Sequence, residues 1–274
     1  QIFLNDQWSV LFGARFDHIT QDFQNKLAGT SNKKDLQQTS PRLGLNYRLN
    51  DRWSWYANYG ESFALNSGMD RNGDVFNPEK GKSYEIGGKY QITPQSLLSL
   101  ALFKMDKENV LTTDPADSNY QITAGEVSSK GLELDLETQL NDQFSIRANY
   151  SYTDAQVEKD QILAKGSRLS NVPKHSGSIS SNYEWTLANA DKVGLGATAI
   201  YVGKRSGHST DNGFNLPEYT LLNLNAYYAP TDQLRYQFNV HNLLDETYYV
   251  ASYSDMWIQP GDPLNASVSV QWKF

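Results

Sequence analysis

Apolar and polar residues alternate along most of this chain. In its last ten residues, NASVSVQWKF, Ala266, Val268, Val270, Trp272 and Phe274 alternate with Asn265, Ser267, Ser269, Gln271 and Lys273. A period of two is that of a β-strand with one apolar face. About twelve such stretches are expected, at 7–18, 39–49, 52–60, 82–92, 95–108, 127–140, 143–157, 174–186, 192–203, 218–229, 233–242 and 264–274. Each is near the roughly ten residues that a tilted strand needs to cross a bilayer.

The faces are consistent. Phe144, Ile146, Ala148, Tyr150 and Tyr152 share one side of their stretch, and Ser145, Arg147, Asn149, Ser151 and Thr153 the other. Leu132, Leu134, Leu136 and Leu140 oppose Glu133, Asp135 and Glu137. Charges are costly on a lipid face and tolerated on a wet lumen wall. This acidic row therefore predicts a solvated wall rather than a catalytic cluster.

The connections alternate in length. LNDR (49–52), ITPQ (92–95), LNDQ (140–143), LANADK (187–192) and APTDQ (229–233) are short and rich in Asn, Asp and Pro, which stabilise tight turns. Those at 19–38, 61–81, 109–126, 158–173, 204–217 and 243–263 are long and polar. Short turns on one side and long loops on the other predict an all-β, antiparallel, transmembrane outer-membrane β-barrel. The short turns are expected at the periplasm and the long loops outside.

Composition adds limits. The chain has 274 residues, 39% hydrophobic and 20% charged, with net charge -7 and no cysteine. No apolar run approaches a membrane-spanning helix, and no disulfide or thiolate metal site is possible. The acidic balance argues against nucleic acid as a partner. Seventeen Tyr, 6 Trp and 11 Phe suit aromatic girdles at two membrane interfaces. The start, QIFLNDQWSV, has no secretory leader pattern, so a mature chain or a fragment is expected.

Several segments resemble a known family. SPRLGLNYRLNDRWSWYANYGESF (40–63), NPEKGKSYEIGGKY (77–90), SSKGLELDLETQLNDQFSIRANYSYTDAQV (128–157), LSNVPKHSGSISSNY (169–183), LPEYTLLNLNAYY (216–228) and VHNLLDETYYVASY (240–253) are similar to the C-terminal part of a TonB-dependent siderophore receptor. NLLDETYY followed by VASY is most similar to the ferrichrome and hydroxamate branch.

That resemblance implies a barrel of about 22 strands, of which residues 1–274 supply about twelve, in the outer membrane of a Gram-negative bacterium. It implies a ferric siderophore as ligand and the TonB-ExbB-ExbD complex as energy source. It also implies an N-terminal TonB box and a plug domain, which this sequence does not show. The chain alone is then not expected to transport. Phe274 matches the terminal signal that such barrels present to the barrel assembly machinery. Half a barrel would leave the stretches at 7–18 and 264–274 with unpaired edges, intolerable in lipid unless partner strands or self-closure satisfy them.

No catalytic constellation stands out, so no enzyme is expected. His18, His175, His208 and His241 lack metal-ligand spacing, and no P-loop, HExxH or GxSxG occurs. GLGATA (194–199) falls within a strand, which argues against a nucleotide loop. No cofactor is expected, since iron would arrive as a chelate without protein ligands. An organic chelate is gripped by aromatic rings and a few hydrogen bonds. The candidate ligand-binding residues are therefore Phe63, Phe76, Tyr120, Tyr253 and Trp257. Tyr248 and Tyr249 are assigned to a girdle, and Lys204 or Arg205 could favour an anionic ligand. The alternatives are uptake of cobalamin, a ferric catecholate or a glycan, a passive porin-like channel, an outer-membrane hydrolase, and a soluble lectin-like β domain.

Overall fold

The computed structural model describes residues 1–26, 29–208 and 210–274. Leu27 and Ala28 in the expected loop 19–38, and Ser209 in the expected loop 204–217, lie outside the described residues.

Every regular element described is a strand. The first six are β1 (Ile2–Phe3), β2 (Trp8–Asn25), β3 (Thr30–Arg48), β4 (Trp53–Ala64), β5 (Glu79–Thr93) and β6 (Ser96–Thr113). Next come β7 (Gln121–Gln139), β8 (Phe144–Lys159), β9 (His175–Thr186), β10 (Lys192–Val202), β11 (Arg205–Ser206) and β12 (Asn215–Leu216). The last are β13 (Tyr219–Ala229), β14 (Leu234–His241), β15 (Tyr249–Ser254), β16 (Trp257–Pro260) and β17 (Asn265–Trp272). One 13-stranded sheet runs in the order β1 to β10, then β13, β14 and β17, while β11–β12 and β15–β16 pair separately. Without the two-residue β1, the sheet holds the twelve long strands that alternation predicts. By contacts the chain divides into two units, each described in turn. One is Gln1–Gly88 with Ala101–Gly131 and Asp154–Leu169, the other Lys89–Leu100 with Leu132–Thr153 and Ser170–Phe274.

In the second unit the register carries one apolar face across six strands. Phe144, Tyr183, Leu195, Ala226, Phe238 and Val268 stand in one row, each opposite the next. Opposed residues of an antiparallel pair share a face. The other face holds the row Ser145, Asn182, Gly196, Asn225, Asn239 and Ser267. Ile179, Leu195, Val268 and Trp272 are more than half exposed, so the apolar face has no protein cover. The small residues of GLGATA sit in β10, as expected, because large polar side chains lie over them. A β-carbon on Gly196 would fall within 2.4 Å of the amide oxygens of both Asn182 and Asn225.

In the first unit Trp8, Val10, Phe12, Ala14 and Phe16 form the matching face of β2, opposite Tyr47, Leu45, Leu43, Pro41 and Thr39. From His18 that face turns polar, with His18, Thr20, Asp22 and Gln24 opposite Gln37, Asp35, Lys33 and Ser31. Hydrogen bonding nevertheless continues to Asn25↔Thr30. The expected loop 19–38 is therefore mostly hairpin. The same correction applies at 109–126, where β6 and β7 leave only residues 114–120 between them. The expected loops 204–217 and 243–263 contain β11–β12 and β15–β16.

The short turns share a chemistry. Leu-Asn-Asp-X-aromatic occurs three times, at 4–8, 49–53 and 140–144. The Asn5 side-chain oxygen accepts from the N–H groups of Gln7 and Trp8, Asn50 from those of Arg52 and Trp53, and Asn141 from those of Gln143 and Phe144, all at 2.9 Å. Asn is suited to such Asx turns because its short side chain reaches the backbone two and three residues on. The first copy joins β1 to β2, so the stretch at 7–18 has a strand partner at Ile2↔Val10 and Phe3↔Ser9. Aromatic pairs gather beside these turns: Trp8–Tyr47 at 4.4 Å, Trp53–Trp55 at 5.9 Å and Phe144–Tyr183 at 6.2 Å.

Candidate functional site

The ends of the strands away from the short turns carry the irregular connections, and each unit packs its own set.

In the first unit the segment between β4 and β5 is pinned to the prolonged β2–β3 hairpin. Asn32 Nδ2 donates to Gly73 O at 2.6 Å, and Lys34 Nζ to Val75 O and Asn77 Oδ1 at 2.9 Å. Gln21 Nε2 donates to Asn66 O at 3.1 Å. On the far side Asn66 Nδ2 donates to Asn109 O at 2.9 Å, and Arg71 pairs with Asp114 at 3.3 Å. These bonds bury Val75 and Phe76. Phe76, a candidate binder, is 6% exposed and packs on Gly68, whose φ of +111° no side chain adopts readily. It supports the loop and lines a concavity between Asn32, Lys34, Asp70 and Ile122. Phe63 is half-buried near the end of β4, on the alternation of Trp55, Ala57 and Tyr59, which belong to the apolar face. Tyr120 lies in the β6–β7 connection, 41% exposed.

In the second unit three connections lock together. Asn171, at φ +62°, donates through Nδ2 to Ser252 O at 2.8 Å and accepts from Ser252 N at 2.9 Å. Asn171 N donates to Ser206 O at 2.8 Å. Arg205, 1% exposed, donates from Nη2 to Tyr249 O and, at 3.0 Å, to Val250 O, with its guanidinium 5.4 Å from the Tyr219 ring. Burial lowers its pKa from the ordinary arginine value. Its guanidinium faces backbone carbonyls, which corrects the expectation that it favours an anionic ligand. Ser252 Oγ donates to Gly207 O. Tyr248 packs tilted against Tyr219, ring centroids 4.7 Å apart, and covers Gly261.

Asn242 anchors the base of this assembly. It is 2% exposed; its Nδ2 donates to Glu246 O and Asp262 O, and its Oδ1 accepts from Glu246 N. Asn242 and Asp245 both stand at φ +51°, which suits Asn and Asp better than most residues. The segment NLLDETYY is therefore a built corner.

What this assembly exposes is the tip of β15–β16. Tyr253 is 76% exposed, Trp257 74% and Met256 92%. The structure thus places Tyr253 and Trp257 in one hairpin, while Phe63, Phe76 and Tyr120 fall in the other unit. Alternation could not flag Met256, because a single apolar residue in a polar stretch carries no period.

Among the described residues no group of three or more His, Asp or Glu side chains is placed to hold a metal. Two of the histidines have other work: His175 Nδ1 shares a hydrogen bond with the Tyr150 hydroxyl at 2.8 Å, and His208 Nδ1 accepts from Thr210 N at 3.1 Å.

Comparison with known proteins gives this geometry a family. The chain matches the family described as TonB dependent receptor-like, beta-barrel over residues 1–243. It is 40% identical over 277 residues to a metal-pseudopaline receptor of Pseudomonas aeruginosa, covering 98% of this chain and 39% of that protein. It is 30% identical over 256 residues to the ferrichrome outer membrane transporter/phage receptor of Escherichia coli, covering 90% and 34%. The siderophore receptor PiuA of Acinetobacter baumannii superposes with a TM-score of 0.85 at 23% identity, over 99% of this chain and 41% of that one, a likeness of fold. The chain thus spans about two fifths of the length of these relatives. These relatives are receptors and transporters, not enzymes. The chain belongs to the TonB-dependent receptor β-barrel family and to the outer membrane of a Gram-negative bacterium.

Proposed function

We propose that residues 1–274 form the C-terminal barrel segment of a receptor that takes up a metal chelate across the outer membrane. The observation that carries this is the 40% identity to a metal-pseudopaline receptor across 98% of the chain. That value exceeds the 30% shared with the ferrichrome transporter. A pseudopaline-like chelate is therefore the first ligand to test, and a hydroxamate siderophore, the class suggested by NLLDETYY, is the second. The chelate brings its own metal. The exposed rings of Tyr253 and Trp257, both in the second unit, are the contacts to expect there, because amphipathic rings grip an organic shell at small entropic cost. Gating by a plug and coupling to the TonB complex would be the work of residues other than these.

The test is a titration of the full receptor in detergent with pseudopaline loaded with Fe(III) or Zn(II), and with ferrichrome. Saturable binding of one with competition by the other is the expected result. No saturable binding to any would overturn the chelate assignment.

A further inference from the structure

The exposed tip of β15–β16 is a short apolar prong: Tyr253, Met256 and Trp257. A two-stranded hairpin of this size is at best marginally stable alone in water, and its register is already irregular between Tyr249 and Ala251 and between Ser252 and Ser254. Its rigidity must come from elsewhere, and two residues outside it supply it. Asn171 grips Ser252 by both N–H and carbonyl across 81 positions of sequence. Arg205 grips the carbonyls of Tyr249 and Val250. Together they fix the backbone on the strand leading into the prong and leave Tyr253 outside the clamp. Arg205 is buried with Nη1 lacking a hydrogen-bond partner, a placement that surface packing alone does not require. Ser252 Oγ and Gly207 O make a third tie, and a β-carbon at 207 would crowd Ser252 Oγ at 3.0 Å.

We propose that Asn171 and Arg205 are positioning residues that hold the Tyr253–Met256–Trp257 prong in one conformation for ligand capture, and that Met256 is its third contact residue. This rests on the proposal that the barrel captures a metal chelate. A binding-competent conformation that is only fractionally populated lowers affinity by that fraction. Breaking the clamp should therefore weaken binding by the factor by which the clamped fraction of the prong falls.

The experiment uses the full receptor and its Asn171→Ala, Arg205→Met and Arg205→Lys variants. Two quantities are read: hydrogen exchange of the amides at 249–258, and affinity for ferrichrome and for pseudopaline loaded with Fe(III) or Zn(II). Asn171→Ala and Arg205→Met should each leave the prong clamped only about one tenth of the time, read as near-complete loss of exchange protection, and so weaken binding by about tenfold. Arg205→Lys, which keeps one charged donor, should recover part of both. A Tyr253→Ala, Trp257→Ala double variant keeps the clamp, so its exchange should match the parent while affinity falls. If the clamp variants exchange faster yet bind as well as the parent, the positioning role is wrong. If the double variant binds as well as the parent, the prong is not the contact. If the parent itself binds none of these chelates, the chelate assignment fails and the positioning role falls with it.

Discussion

Tyr227 lies so close over Gly194 that a β-carbon at position 194 would sit 2.0 Å from its ring. The ring cannot easily give way. Its hydroxyl donates to Glu184, and the Arg235 guanidinium stacks on it at 3.6 Å. Gly194→Ala should therefore destabilise the barrel by about 2 kcal/mol through overpacking. Loss of heat-resistant mobility on a semi-native gel at a lower temperature than the parent is the expected observation. An unchanged transition would show that the stack yields freely.

The repeated turn makes a second prediction. Asn50 and Asn141 each accept two backbone hydrogen bonds in separate hairpins. Replacing either with Ala should cost about 1 kcal/mol, and the two costs should add because the sites share no partner. Denaturant titrations of both single variants and the double would check this, with a non-additive double as the contrary result.

The fold was legible where chemistry differed between the two faces of a strand. Phe12 and Phe16 announce β2 because that face is apolar while the residues between are mostly not. Beyond His18 the formerly apolar face is polar and the other keeps only Ile19, Phe23 and Leu36, too few to show a period, so the strand continues unseen to Asn25. The turn at Asn5 carried the same letters as those at Asn50 and Asn141, but only Ile2–Phe3 precede it, too few residues to show alternation. The candidate site was less legible. Tyr253 and Trp257 are exposed, yet Phe76 is held inside its loop by contacts from Asn32 and Lys34, more than forty residues away. No local pattern encodes that pinning, nor the role of Asn242.

Asn242 gives the third prediction. Its side chain holds three backbone groups in a buried corner. Asn242→Ala should leave these without partners and cost about 3 kcal/mol, felt in the connection from 243 to 263 rather than in the sheet. Limited proteolysis should cut that connection in the variant and spare it in the parent. Equal resistance would contradict the corner's role.

A fourth prediction concerns pH. Burial pushes the Asp160 carboxyl up, but donation from Leu163 N, the Thr112 side chain and Ile162 N outweighs it and holds the pKa below the ordinary 3.8. A group with a lowered folded pKa contributes stability that is present above its unfolded value and lost as pH falls through the folded one. The turn at Asp160, where Ile162 N and Leu163 N donate at 2.8 and 2.9 Å, should stay closed at pH 5 and open only below about pH 4. Amide protection at Ile162 and Leu163 across that range checks it. Asp160→Asn should flatten the dependence.

The β2–β3 ladder has a further consequence. Eight residue pairs, from His18↔Gln37 to Asn25↔Thr30, continue beyond the apolar face. At about 3.3 Å per residue, they form a girder roughly 26 Å long, whose length is independent of the part that lipid touches. Its side chains repeat every two residues. Excising Gln24 and Asn25 together with Thr30 and Ser31 would shorten the girder by about 6.6 Å, keep the ties from Gln21, Asn32 and Lys34, and turn no side chain to the wrong face. The height of this rim is an adjustable dimension, set in steps of two rungs.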